Sequence, residues 1–292
     1  MNEWMSCRMT WKTRVNDRIW YILTGILIIW ASTATVWAKP AAVQFPPLSY
    51  ADAADLVTAS PVILKGKVKS ASRVKVPVTG NPEAVRRYVH VRVAVDSLIR
   101  GQDGVPPQVS LLAFDSEGTN PDVYRPRRGQ TVLIFAQRSG RPGEMRLVSR
   151  HALRPWTAEL EAMTRSITAE LLKPDAAPAI VAIGDAFHVA GTVAGESETQ
   201  IFLKTGTNAP VSISVVRRPG QQPRWGVSLD EVVDDTAVPP APGTLLRYRL
   251  ACGLPDRLPP QSTRSLPLAD AEAAQRDYGF VIESLGSCGR TL

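Results

Sequence analysis

The side chains best suited to chemistry in this sequence are three histidines, one acidic cluster and one pair of cysteines. A histidine base needs a nucleophile and an orienting carboxylate within hydrogen-bond reach. His90, His151 and His188 are far apart, and no Gly-x-Ser-x-Gly, His-Glu-x-x-His, phosphate-loop or Cys-x-x-Cys motif accompanies them. His90 belongs to an alternating strand pattern, His151 to a strand–helix junction and His188 to Phe187-His188-Val189, so each reads as structural. Asp230-Glu231 and Asp234-Asp235 offer the oxygen ligands that Ca²⁺ takes. They lack the Asp-x-Asp-x-Asp-Gly loop and read as a solvated turn. Glu196 and Glu198, beside Ser197 and Thr199, read as hairpin polarity. No catalytic residue, metal site or cofactor is assigned.

The cysteines speak to the compartment. Cys7 lies in the N-terminal segment, which leaves Cys252 and Cys288 for the rest of the chain. Two lone cysteines in an oxidising compartment most simply form one disulfide. Residues 1–18 are polar and basic, Ile19 to Ala31 is apolar apart from Thr24 and Gly25, and Ser32 to Ala38 is small and polar. This is the plan of a secretory signal peptide, with Val36 and Ala38 as the small residues before a cleavage between Ala38 and Lys39. The alternative is an uncleaved inner-membrane anchor, since residues 19–38 would span about 30 Å as a helix, with Trp20 and Trp37 near its ends. The polar stretch at 32–35 fits cleavage better than a bilayer centre. Both readings place residues 39–292 in the periplasm.

The formal charge of +7 with 21% charged residues indicates a globular chain with a mild attraction to anionic surfaces. Arg86-Arg87, Arg127-Arg128 and Arg217-Arg218 are scattered and lack the aromatic motif or basic helix of nucleic-acid binders, so nucleic acid is not an expected partner.

Elements that could position a site begin with Arg87 to Gly101. Val89, Val91, Val93 and Val95 share one strand face, and Tyr88, His90, Arg92 and Ala94 share the other. The valine face suits a core and Tyr88, His90 and Arg92 suit a partner. Ser49 to Val57 reads as a short capped helix, followed by strands at 62–68, 87–100, 108–114, 131–136 and 145–148, with a loop at 78–84. These pieces predict a small OB-like β-barrel over 49–154, after a linker at 39–48.

The order of these pieces resembles netrin-like and metalloproteinase-inhibitor OB barrels. The resemblance rests on Leu64-Lys65-Gly66-Lys67-Val68, on Ile99-Arg100-Gly101 closing a valine-rich strand, and on Gly129 to Phe135. Those inhibitors chelate protease zinc through an N-terminal cysteine, whereas residues 39–154 contain none. The resemblance therefore implies a fold and no activity.

Leu160, Met163, Ile167 and Leu171 mark one stripe of a linking helix over 155–177, opened by Pro155. Residues 178–292 then read as six strands, at 180–183, 186–193, 199–204, 211–216, 225–229 and 244–251. Those strands favour a β-sandwich, which a helix over 268–285 follows. This half resembles uncharacterised exported proteins of sphingomonad-type bacteria, through Leu246-Arg247-Tyr248-Arg249-Leu250-Ala251-Cys252 and Ser287-Cys288. The expected fold is thus mainly β. The favoured function is a non-catalytic envelope protein that binds another protein or a cell-wall component. The alternative is a periplasmic hydrolase whose serine, histidine and carboxylate come from distant strands. Export yields a first measurement: the intact mass of the secreted species corresponds to a chain beginning at Lys39, whereas residues 19–38 retained in a membrane pellet indicate the anchor.

Overall fold

The computed structural model describes residues 45–78, 80–115, 124–229 and 237–292. The N-terminal segment with Ala38 and Lys39, and the acidic group at 230–235, lie outside them. The fold is mainly β. In the first sheet β1 (Val62–Val78) pairs antiparallel with β2 (Asn81–Arg100) and with β4 (Thr131–Arg138). β2 pairs with β3 (Gln108–Phe114), β3 runs parallel to β5 (Glu144–Leu147), and β5 returns antiparallel to β4. The ring is an OB-like barrel, and β6 (Leu153–Pro155) adds outside it on β4.

Strand alternation fills this barrel. Val89, Val91 and Val93 point inward with Val68, Val109, Leu111, Val132, Ile134 and Met145. Gly66 lets β1 and β2 close, since a Cβ there would stand 2.4 Å from the Ala94 carbonyl oxygen and 2.6 Å from Val93 Cγ1. The loop expected at 78–84 is instead the tip of a long β1–β2 ribbon, whose pairing extends to Val78 opposite Asn81. Val74 and Val76 continue the alternation past the core, and Gly80 turns the chain at φ 85°.

A helical layer covers the other side of β1 and β4. Ile63, Leu133 and Phe135 pack against α1 (Tyr50–Ala59), α2 (Ala158–Leu171) and α3 (Leu245–Gly253). Ser49 caps α1 by accepting from the Asp52 amide. Pro155 does not open the linking helix. It closes β6 opposite Val132, and Thr157 caps α2 by accepting from the Leu160 amide at 3.1 Å. Leu160 and Ile167 are buried, as the stripe implied.

The second sheet is an antiparallel meander of β7 (Ile180–Ala190), β8 (Ser197–Thr205), β9 (Val211–Arg217) and β10 (Arg224–Ser228). The strands expected at 180–183 and 186–193 are the single strand β7, irregular near Ile183. Ile201, Ile213, Val215 and Trp225 pack on Ala274, Tyr278, Val281 and Leu285 of α4 (Leu268–Leu285), so the layer opposite this sheet is helical.

The strand expected at 244–251 is α3. Its residues alternate at 246, 248, 250 and 252, but they also satisfy a helix. Leu245, Tyr248 and Cys252 fall on a stripe facing the barrel-side core, while Leu250 faces the second sheet. Thr244 caps the helix by accepting from the Arg247 amide. One short helix thereby serves two cores. Phe45–Leu292 forms one compact unit, and the boundaries drawn at 154 and 177 fall inside it.

Cys252 and Cys288 form the expected disulfide. It secures more than the second sheet, because the chain beyond it lies along α1. Arg290 donates to the Asp55 carboxylate at 2.6 Å and 2.9 Å, and the Thr291 hydroxyl donates to Asp52 at 2.6 Å. The Thr291 and Leu292 amides also donate to Asp52. Burial pushes both carboxyls up, but these bonds, with those from Ser49 and Tyr248, outweigh it and hold both below the ordinary 3.8.

Three outcomes follow from these contacts. Val93→Asp, which puts a carboxylate among fully buried side chains, lowers stability by about 4 kcal/mol or more in urea unfolding. Reduction of the disulfide, whose cysteines are 36 residues apart, removes at most about 3.8 kcal/mol of loop-closure stabilisation. Hydrogen exchange then rises in α1 as well as in α4. A carboxyl depressed by folding stabilises fully above its ordinary pKa and ceases to do so as pH falls through the depressed value. Acidification below about pH 4 therefore releases the tail. The Thr291 and Leu292 amides lose protection first, and Asp52→Asn shows that loss already at neutral pH.

Candidate functional site

Inward valines leave Tyr88, His90 and Arg92 on the outer face of β2, where the alternation placed them. Register extends this face across three strands. Tyr88 lies opposite Phe114, His90 opposite Leu112 and Arg92 opposite Ser110 on β3. On the other side they oppose Val74, Ser72 and Ser70 of β1. The Tyr88 and Phe114 rings are 5.3 Å apart with planes at 48°. Arg92 Nε donates to Ser70 Oγ at 2.9 Å, which holds the guanidinium along the sheet. The helices pack on the β1–β4 side of the barrel, and Leu112 and Phe114 remain 39% and 41% exposed. Apolar side chains beside a cation and an imidazole form a surface able to hold a partner by burial and charge together.

The ribbon adds a cationic flank. Seven Lys and Arg residues and one acidic residue, Glu83, lie between positions 67 and 92. Hairpin pairing sets Lys75 opposite Arg87, and the Asp115 amide donates to the Arg87 carbonyl at 3.3 Å. The Asp115 carboxylate, 1% exposed, accepts from Arg125 at 2.6 Å and forms an ion pair with Arg73 at 3.1 Å. One buried carboxylate thus gathers cations from β1 and from the segment before β4. Arg86-Arg87 therefore belongs to a continuous basic ribbon, which its place in the sequence alone did not reveal.

A hydroxyl, a histidine and a carboxylate do meet on distant elements, as the hydrolase alternative requires. Thr199 of β8 donates to Asp277 Oδ2 of α4, His188 Nδ1 of β7 lies 2.8 Å from Thr199 Oγ1, and Arg217 of β9 donates to Asp277 Oδ1 at 2.6 Å. The wiring differs from that of an activated nucleophile. There the carboxylate orients the histidine, and the histidine takes the hydroxyl proton. Here the Thr199 proton is directed at Asp277, so it is the lone pairs of Thr199 Oγ1 that face His188 Nδ1. Thr199 is fully buried and Asp277 is 1% exposed, so the cluster is a clamp between sheet and helix.

Asp277 and Thr199 were not singled out from the sequence. Asp277 sits beside Tyr278 on α4, whose buried face runs through Ala273, Ala274, Asp277, Tyr278, Val281 and Leu285. A charged residue between apolar positions of that helix was the available signal. Phe114 and Leu112 were also missed. Their signal is the run Val109 to Phe114, in which Leu112 and Phe114 alternate with the inward Leu111 and Ala113. The other expected positions stay apart: His90 is on β2, His151 in the turn before β6 and His188 on β7. Among the described residues, no group of three or more His, Cys, Asp or Glu could hold a metal ion.

No protein-family model matches the chain, and no curated protein matches it either.

The clamp can be measured. Asp277→Ala leaves Arg217 and Thr199 without their acceptor and lowers stability by about 3 kcal/mol in urea unfolding. His188→Ala, which removes one hydrogen bond at the edge of the cluster, costs about 1 kcal/mol. Equal losses from the two would show that Asp277 is not its centre.

Proposed function

We propose that this chain is a non-catalytic periplasmic envelope protein that holds a partner against the outer face of β2 and β3. The partner is another envelope protein or a cell-wall component. The single observation that carries the reading is the outer-face row of half-buried Tyr88 and His90 with exposed Phe114, Leu112 and Arg92, flanked by the basic ribbon. Apolar burial at the aromatic pair supplies affinity, and the cations draw an acidic partner and orient it. The leader composition and the disulfide support an exported chain. Among the described residues no helix is long and apolar enough to cross a membrane. The netrin-like resemblance of the barrel and the exported-protein resemblance of the second half belong to the same reading, at the level of fold and compartment.

A photo-crosslinking residue at Leu112, in cells that export the chain, captures a discrete partner. Tyr88→Ala and Phe114→Ala each reduce that product at least tenfold without unfolding the protein. Raising the salt concentration weakens the complex further, since the flank is solvent-exposed. Capture from Leu112 no stronger than from the same residue at Leu268, which is 77% exposed on the distant helix α4, would overturn the proposal.

A further inference from the structure

The second sheet has two faces, and α4 covers one. On the other, pairing sets Val189, Glu198, Val216 and Arg224 abreast across β7, β8, β9 and β10. The adjacent row places Gln200, Ser214 and Gly226 side by side. Ala237 closes down on Gly226, where a Cβ would stand 2.3 Å from the Ala237 carbonyl carbon. Only glycine permits that approach. At the end of the sheet the β7–β8 turn is closed by the Gly191 amide donating to the Glu196 carbonyl at 2.8 Å. The β9–β10 turn is closed by the Gln221 backbone amide donating to the Arg218 carbonyl at 3.1 Å. Floor, turns and the Ala237 strap enclose a cavity of about 330 Å³. That lies within the roughly 300–1,000 Å³ of small-molecule sites.

The charges around this cavity are arranged unusually. Glu196 and Glu198 enter from the β7–β8 hairpin, and Arg218 and Arg224 from the β9–β10 hairpin. Among the described residues no ion pair joins either carboxylate to either guanidinium; the Glu198 carboxylate accepts only from the Gln200 amide, at 2.9 Å. Glu198 and Arg224 are separated by the strand that carries Val216, about 10 Å from backbone to backbone at the usual strand spacing. Among the described residues, unpaired anions on one wall and unpaired cations on the other, over a floor that carries Val189 and Val216, match a ligand with a cationic and an anionic end.

We propose that this cavity binds a small zwitterion, a free amino acid or short peptide. Its ammonium group lies towards Glu196 and Glu198, and its carboxylate towards Arg218 and Arg224. Val189 and Val216 contact its apolar part, and the Ser214 hydroxyl and the Gln221 and Gln222 amides are the polar groups that face a peptide link. The site is separate from the β2–β3 face, so either can fail without the other.

The test titrates the full chain, as exported, with L-alanine and L-alanyl-L-alanine while backbone amide resonances are followed. N-acetyl-L-alanyl-L-alanine and L-alanyl-L-alaninamide serve as the ligands with one charge removed. A zwitterion shifts the resonances of Glu198, Ser214, Val216 and Arg224, and removing either end charge weakens binding at least tenfold. Glu198→Gln and Arg224→Gln each weaken it to the same extent, whereas Asp256→Asn leaves it unchanged. Should a variant fold poorly, the comparison of ligands on the unaltered protein decides alone. No shift of the cavity resonances at millimolar zwitterion, or equal binding of the blocked forms, overturns the proposal.

Discussion

Ile63, Leu133 and Phe135 point away from the barrel interior and are nevertheless completely buried. β1 and β4 therefore bury both faces, one on the barrel core and one beneath helices. Leaving the outer row in water would expose two large aliphatic side chains and a phenyl ring, at about 1.5–3 kcal/mol each. This constraint accounts for the placement of α1, α2 and α3. It also explains why Lys65 of β1 reaches Glu161 of α2 at 2.9 Å, where Lys65, Trp156 and Arg165 hold the Glu161 carboxyl at about 2.

The same constraint divides the barrel into two sides of different character. Helices occupy the side of β1 and β4, so the remaining open wall is β2 and β3. There the alternation needs no second core, and Tyr88, His90, Arg92, Leu112 and Phe114 meet solvent. The candidate binding face is what remains of an OB-like barrel once three helices have covered its other wall.

α3 carries this logic into the second sheet. With Tyr248 beneath α1 and Leu250 against the sheet, it joins the two cores through one turn of helix. Its C-terminal end carries Cys252, and the disulfide brings the tail back to Asp52 and Asp55 of α1. The chain thereby ties its end to the first helix of the described fold, across more than 230 residues. The clamp at Asp277 and the strap at Ala237 then leave one sheet face packed on α4 and the other enclosing a charged cavity.

Local pattern determined several of these features by itself. A period of two over Val89 to Val95 fixes which side chains of β2 face inward, because a one-residue slip would expose every valine. The stripe of α2, the limits of α4 at Leu268 and Leu285, and the pairing of Cys252 with Cys288 are equally local or arise by elimination. Tertiary structure alone decided the rest. Leu246, Tyr248, Leu250 and Cys252 satisfy a strand and a helix alike, and only the presence of a core on either side selects the helix. Phe114 becomes a neighbour of Tyr88, Arg87 of Lys75, and Asp277 of Thr199 through register and packing between residues distant in the chain. Tyr88 and Phe114, like Thr199 and Asp277, lie too far apart for one window of sequence to hold both, and even Lys75 and Arg87 meet only through the hairpin register, so their chemistry appears only when the chain is folded.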